Sequence, residues 1–213
     1  MILEAIIGSH AYGLATEESD VDRRGVFVAP TEAFWLFEKP PTSVEGPAPE
    51  QLTWEVEHFC KLGLKSNPTV LETLVSPLIE VSTPMGEELQ ALLPAFLSRY
   101  AVRAYTRATE MQLSRAGRNL KPKQLMHVVR LRLLGLHLVR TGELSIAADR
   151  SLLRIRDGSM PWDDAVAWAH RLGDELVSAD GPLPEEPDRA RVEDWLVSVR
   201  RRMLRDQPSG QSR

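Results

Sequence analysis

The feature that most constrains this chain is the stretch from Gly8 to Asp22, GSHAYGLATEESDVD. It follows a β-prone run, ILEAII at residues 2–7, and Gly8-Ser9 marks a strand-to-helix junction with a short helix expected through Tyr12. Asp20 and Asp22 are two residues apart, so on an extended chain both carboxylates face one side. Crowded carboxylates repel, and a divalent cation relieves that cost. Magnesium suits the place, because it takes oxygen ligands and is held by one or two carboxylates plus substrate phosphates. At the junction, Gly8 lets a phosphate approach the backbone, Ser9 adds a hydroxyl donor, and amides at a helix start favour an anion. A phosphate holder and a metal holder on adjacent strand ends are what phosphoryl transfer requires.

Downstream, Arg24–Ala29 reads as a second strand stopped by Pro30, and Thr31 offers an N-cap for a brief helix over Glu32–Phe37. Residues 39–50 carry Pro40, Pro41, Gly46, Pro47 and Pro49 and read as a mobile loop, placed to close over substrate. Leu52–Glu57 reads as a third strand and Val56–Leu64 as a helix, with Asn67-Pro68-Thr69 ending it and starting the next. From Glu87 the pattern is helical. Residues 121–140 put Leu125, Val129, Leu133 and Leu136 on one face, and further helices are expected near 162–178 and 187–205. The expected organisation is an α/β core over 1–86, a helical domain over 87–206 and a flexible tail at 207–213.

A two-metal clamp needs a third carboxylate from another strand. Glu55 and Glu57 share a face at the end of the third strand, and Glu55 is preferred because Glu57 lies nearer the following helix. The same group would activate an acceptor hydroxyl. Neither Gly-x-x-x-x-Gly-Lys-Ser/Thr nor Gly-x-Gly-x-x-Gly occurs, which excludes the P-loop and Rossmann readings. The net charge of -4 argues against a general nucleic-acid coat. A single cysteine, Cys60, forms no internal disulfide, suits a reducing cytosol and reads as a small buried apolar group. No signal peptide or membrane helix is expected, so the reading is cytoplasmic.

The segment GSHAYGLATEESDVDRRGVFV resembles the core motif of the DNA polymerase β-like nucleotidyltransferase superfamily. WEVEHFCKLGLKSNPTVLETLVSP and KPKQLMHVVRLRLLG are similar to its RNA-repair-associated predicted nucleotidyltransferase group. The resemblance implies an α+β fold, a small mixed sheet flanked by helices and followed by a helical unit. It implies transfer of a nucleoside monophosphate from a nucleoside triphosphate, ATP among the candidates, with two Mg2+ ions or Mn2+ in their place. By position, Gly8 and Ser9 would hold triphosphate, and Asp20 and Asp22 would bind metal. Glu55 stands where the superfamily usually has an aspartate. The acceptor is left open between an RNA end, a protein and a small molecule.

Other residues carry two readings each. Lys65 is a candidate for phosphate or acceptor, whereas Asn67 is read as structural. Glu72 reads as a solvated helix position, and His58 as either a nucleotide contact or a structural histidine. Lys123, His127 and Arg130 fall at i, i+4, i+7 on one helix face, either meeting the nucleotide or forming a polar stripe. Arg132 and His137 make an Arg-x4-His spacing, a minority ribonuclease reading, and Arg200-Arg201-Arg202 reads as a solvated helix face. Two rival functions stand beside the enzyme: an inactive nucleotide- or RNA-binding module of the same fold, and an antitoxin-like partner of another protein.

Overall fold

The structure, a computed structural model, describes residues 1–205; the expected tail at 207–213 lies outside the described residues. The first strand, β1 (Leu3–Ile7), alternates as a half-buried strand should, with Leu3, Ala5 and Ile7 facing the core. It feeds the one-turn helix α1 (Ser9–Tyr12) and then β2 (Asp22–Phe27), which pairs antiparallel to it with Ile7 opposite Asp22. β4 (Gln51–Glu55) lies parallel to β2, with Arg23 opposite Gln51 and Phe27 opposite Glu55. With edge strands β3 (Ser43–Glu45) and β5 (Leu78–Ser82), the full order is β3-β4-β2-β1-β5, a five-stranded mixed sheet.

Both edge strands depart from the sequence reading. Part of the expected loop at 39–50 is strand β3 (Ser43–Glu45), antiparallel to β4 and exposed throughout. The turn between them closes where the Gly46 amide donates to Gln51 O at 2.9 Å. β5 (Leu78–Ser82) was not anticipated; it pairs with β1 through a bulge at Glu4/Ala5 and is mostly exposed, so it lacks the apolar alternation that marks an internal strand. The helix expected at Glu32–Phe37 is a 3-10 turn, Thr31–Trp35, and Thr31 does not cap it: its hydroxyl donates to Arg200 O at 2.7 Å.

The helices follow their sequence signals closely. Glu55 N-caps α2 (Val56–Gly63), and Asn67 caps α3 (Pro68–Val75), its Oδ1 accepting from the Val70 amide at 3.2 Å. Then come α4 (Pro84–Ala91), α5 (Leu93–Phe96), α6 (Tyr100–Ala116), α7 (Pro122–Thr141), α8 (Leu153–Arg156), α9 (Trp162–Ser178) and α10 (Arg189–Arg205). Long α7 is the axis of the helical half, flanked by α6 and α9, with Leu125, Val129 and Leu136 buried and Leu133 half-buried. Gly135 permits the α6 contact, since a Cβ there would sit 2.9 Å from Tyr105. Arg132 is buried: Nε donates to Thr109 Oγ1 at 3.2 Å and Nη1 to Ala169 O at 2.5 Å, which ties α7 to α6 and α9. That engagement removes the ribonuclease reading, which needs a free arginine facing substrate. α10 turns back to pack on α2, α5 and the 31–35 turn. Among the described residues, no helix is long and apolar enough to cross a membrane.

Candidate active site

The loop from α1 to β2 is pinned from both sides. Ser19 Oγ accepts from the Thr16 amide at 2.9 Å, and the His10 ring meets Ser19 O at 3.2 Å. This fixes the backbone just before Asp20. Asp22 opens β2 half-buried, directly against Gly8: a Cβ on Gly8 would run into Asp22 Oδ2, and Gly8 has φ +74°. Glycine is therefore required there for both space and backbone conformation. Burial pushes the Asp22 carboxyl above its usual range; Glu50 and Asp20 reinforce that, and Arg24 opposes it. Lys123 at the start of α7 lies 3.9 Å from Asp20, and Arg24 lies 3.6 Å from Asp22.

These groups line a cleft of about 600 Å³ between the sheet and helices α6 and α7, with an adjoining recess of about 210 Å³. Gly8, Tyr12, Asp22, Gln124, His127 and Arg130 border both spaces, Ser9, Asp20 and Lys123 the recess, and Asn67, Glu72 and Arg115 the cleft. At its base is a buried network. Arg130 Nη1 donates to Glu72 Oε1 at 2.9 Å, both side chains 3% exposed, and the Tyr12 hydroxyl donates to Glu72 Oε2. The guanidinium carbon stands 3.6 Å from the Tyr12 ring centroid. Burial, with Glu72 beside it, holds the Tyr12 hydroxyl well above its usual range. His127 is driven down to about 3 by burial and then by Arg130 and Lys123, so its ring is neutral at pH 7. Arg130 Nε and Nη2 are buried without a hydrogen-bond partner.

The i, i+4, i+7 face of α7 therefore meets the cleft, with Lys123 exposed, His127 half-buried and Arg130 buried. Glu72 is not solvated; the sequence offered no sign that Arg130, 58 residues on, would neutralise it. Lys65 is exposed at the end of α2 and is not among the cleft's lining residues, nor is His58. Cys60 is buried, its thiol pushed up to about 12 by desolvation.

Glu55 is not brought to the aspartates. The β2–β4 pairing is parallel, so Glu55 sits beside Phe27 at the far end of β2, five residues from Asp22 and roughly 16 Å along the strand. Its carboxylate is already engaged, accepting from the Glu57 amide at 2.8 Å and from Arg200 at 2.9 and 3.0 Å. Glu57 shares Arg200 at 3.5 Å and Lys61 at 2.5 Å. The acid that does face the Asp22 end of the sheet is Glu50, whose left-handed backbone, φ +54°, turns the chain into β4. Arg200 and Arg202 are not a solvated face either: Arg202 pairs with Glu88 at 2.6 Å, and Arg200 stacks 4.1 Å over the Phe34 ring. Among the described residues, no group of three His, Cys, Asp or Glu side chains is placed to hold a metal ion. Asp20 and Asp22 border the same recess, and Glu55 does not join them there.

A mixed sheet whose first strand runs into Gly-Ser, whose second opens on the latter aspartate of Asp-x-Asp, and which faces a helical half across a cleft defines a polymerase β-like core with C-terminal helices. The chain belongs to the RNA repair pathway DNA polymerase beta family, matched over residues 1–162. That membership carries a nucleotidyltransferase-like role at the level of the family. The chain is similar to the uncharacterised protein YcgL of Bacillus subtilis (strain 168), 28% identical over 130 residues, 58% of this chain and 50% of the relative. It thus spans about half the length of that relative. No solved structure matches significantly.

Proposed function

We propose that the protein is a magnesium-dependent nucleotidyltransferase that moves a nucleoside monophosphate from a nucleoside triphosphate to an acceptor hydroxyl, with an RNA end as the favoured acceptor. The observation that carries this reading is the contact between Gly8 and Asp22: a side-chain-free backbone held against a carboxylate, in a cleft that also presents Ser9, Asp20 and Lys123. The family description favours RNA as acceptor, and on this reading the protein works in the cytoplasm.

Asp20 and Asp22 would hold the cation, which when bound neutralises phosphate charge and orients the reacting phosphoryl group. Ser9 and the neighbouring amides would receive phosphate oxygens. α1 is a single turn and has little dipole of its own, so Lys123 supplies the countercharge at the mouth of the site. His127, neutral at working pH, would donate or accept a hydrogen bond without adding charge. Positioning and charge neutralisation then provide most of the acceleration.

The test is incubation with each labelled nucleoside triphosphate, magnesium or manganese, and RNA or protein acceptor. Label should enter the acceptor, and the Asp20→Ala/Asp22→Ala double variant should transfer at least about 100-fold more slowly, since outer-shell changes alone cost about 10–100-fold. Equal labelling by the variant would refute the site. The engagement of Glu55 by Arg200 favours a second reading, a nucleotide-binding module without chemistry. Magnesium-dependent release of pyrophosphate separates the two.

A further inference from the structure

Along one row of α6, every residue but one is an arginine. Arg99, Arg103, Arg107, Met111 and Arg115 follow one another at i+4, from the residue preceding the helix to its last turn. Each step rises about 6 Å and carries the row about 40° further round the axis. The row therefore winds from one side of α6 to the other, and a space lies at each end. Arg99, Arg103 and Arg107 line a surface groove of about 590 Å³, which Tyr100 and Val177 also border. Met111 and Arg115 line the candidate active cleft. Lys121 and Lys123, both exposed, carry the positive charge on from the start of α7, and Lys123 borders the recess that holds Asp20 and Asp22.

The chain itself does not neutralise this row. Arg99, at its head, is bound to acids, Asp180 and, at 3.4 Å, Glu185. Arg103, Arg107 and Arg115 are exposed and pair with no acid among the described residues, although Glu110 shares the groove lining. Arg103 and Arg107 stand at i and i+4, a spacing at which like charges repel and weaken a helix. A chain of net charge -4 thus gathers unopposed cations on a path that ends in the cleft. A triphosphate in the cleft does not account for them, because Arg103 lies about 18 Å up the helix from Arg115. A line of point charges one residue wide matches a polyanion one strand wide, whose phosphates repeat along its length. We infer that the α6 row is the track for a single-stranded RNA acceptor. Arg103, Arg107 and Arg115 hold its phosphates, and its reacting end enters the cleft past Met111. Delivery of an acceptor rests on the proposed activity; the affinity of the row for a strand does not.

Fluorescence anisotropy on the full chain tests it, with a labelled single-stranded RNA of about 12 nucleotides as probe and magnesium present. Three neutralised phosphates should make the logarithm of the affinity fall with that of salt at a slope of about -2. Arg103→Ala/Arg107→Ala should flatten the slope by about 1.4, a loss of about 25-fold at 0.1 M salt that closes toward 1 M. Both positions are exposed, so the melting temperature and the calorimetric affinity for magnesium triphosphate should hold. Lys39→Ala/Lys61→Ala removes two exposed cations off α6 and should stay within about twofold of the parent. Asp20→Ala/Asp22→Ala should bind the strand at least as tightly as the parent. The inference is overturned if no strand binds, if the arginine variant binds as the parent does, or if the lysine variant loses as much. It is equally overturned if a duplex of the same length binds more tightly, or if a polyglutamate peptide of equal charge competes as well as the RNA, which would make the row a protein-docking surface. Transfer failing while row-dependent strand binding persists would sink the proposed activity and leave the track standing. Transfer to RNA unaffected by loss of Arg103 and Arg107 would do the reverse.

Discussion

The Glu72–Arg130 pair at the base of the cleft gives the sharpest quantitative test. Both side chains are 3% exposed and joined by a 2.9 Å hydrogen bond, and Glu72 also accepts from Tyr12. Glu72→Gln keeps the shape and one acceptor but strips the charge, leaving a buried guanidinium whose Nε and Nη2 already lack partners. Removing one member of such a pair costs about 3–5 kcal/mol. Set against a typical total stability of about 5–15 kcal/mol, that is a large fraction. At about 2–4 °C per kcal/mol for a chain of this size, melting should fall by about 6–20 °C. The double variant Glu72→Leu/Arg130→Met removes both charges and should recover to within about 1–3 kcal/mol of the parent, because apolar replacement of a buried pair is often neutral while the buried Tyr12 hydroxyl loses its acceptor. Urea unfolding followed by circular dichroism, with linear extrapolation, measures all three proteins. A loss under about 1 kcal/mol for Glu72→Gln would refute the reasoning, as would a double variant less stable than Glu72→Gln.

Three further outcomes follow from the same geometry. Glu55→Gln should lower stability by about 1–3 kcal/mol by loosening α10 from α2 while leaving transfer within a fewfold; loss of activity with intact folding would return Glu55 to the metal site. Below pH 6.5 the unfolded chain protonates His127 and the folded chain does not until about pH 3, so this group's contribution is fully present above pH 6.5 and is lost as pH falls through that window, at up to about 1.4 kcal/mol per pH unit. Stability profiles of the parent and His127→Gln should diverge there, and parallel profiles would contradict a buried neutral ring. Gly8→Ala should cost about 1–3 kcal/mol through its positive φ and displace the Asp22 carboxylate, abolishing magnesium-dependent binding of triphosphate measured by calorimetry. Unchanged binding would separate Gly8 from the site.

Much of the machinery is local and therefore lay open in the sequence. The α+β class was implied by the family resemblance, while a β-prone run into Gly-Ser and an Asp-x-Asp leading into the next strand marked an α/β segment and the pair of carboxylates. Each depends on neighbours within about twenty residues and on the two-residue period of a strand. The helices α7, α9 and α10 were legible within a few residues from the helical patterning of the second half of the chain.

Pairing between distant segments was decided only in three dimensions. Whether β4 runs parallel or antiparallel to β2 determines which of its ends meets Asp22. No local signal encodes that choice, and it is the reason Glu55 lies with Arg200 while Glu50 lies at the Asp22 end of the sheet. The partners of Glu72 and Arg132 likewise come from other helices, and the exposed edges β3 and β5 carry too little burial to leave a periodic trace. Sequence alone determined the inner strands, the main helices and the chemistry each could offer. Tertiary structure decided which charges meet, because Coulomb and desolvation energies depend on distance and burial through space rather than along the chain.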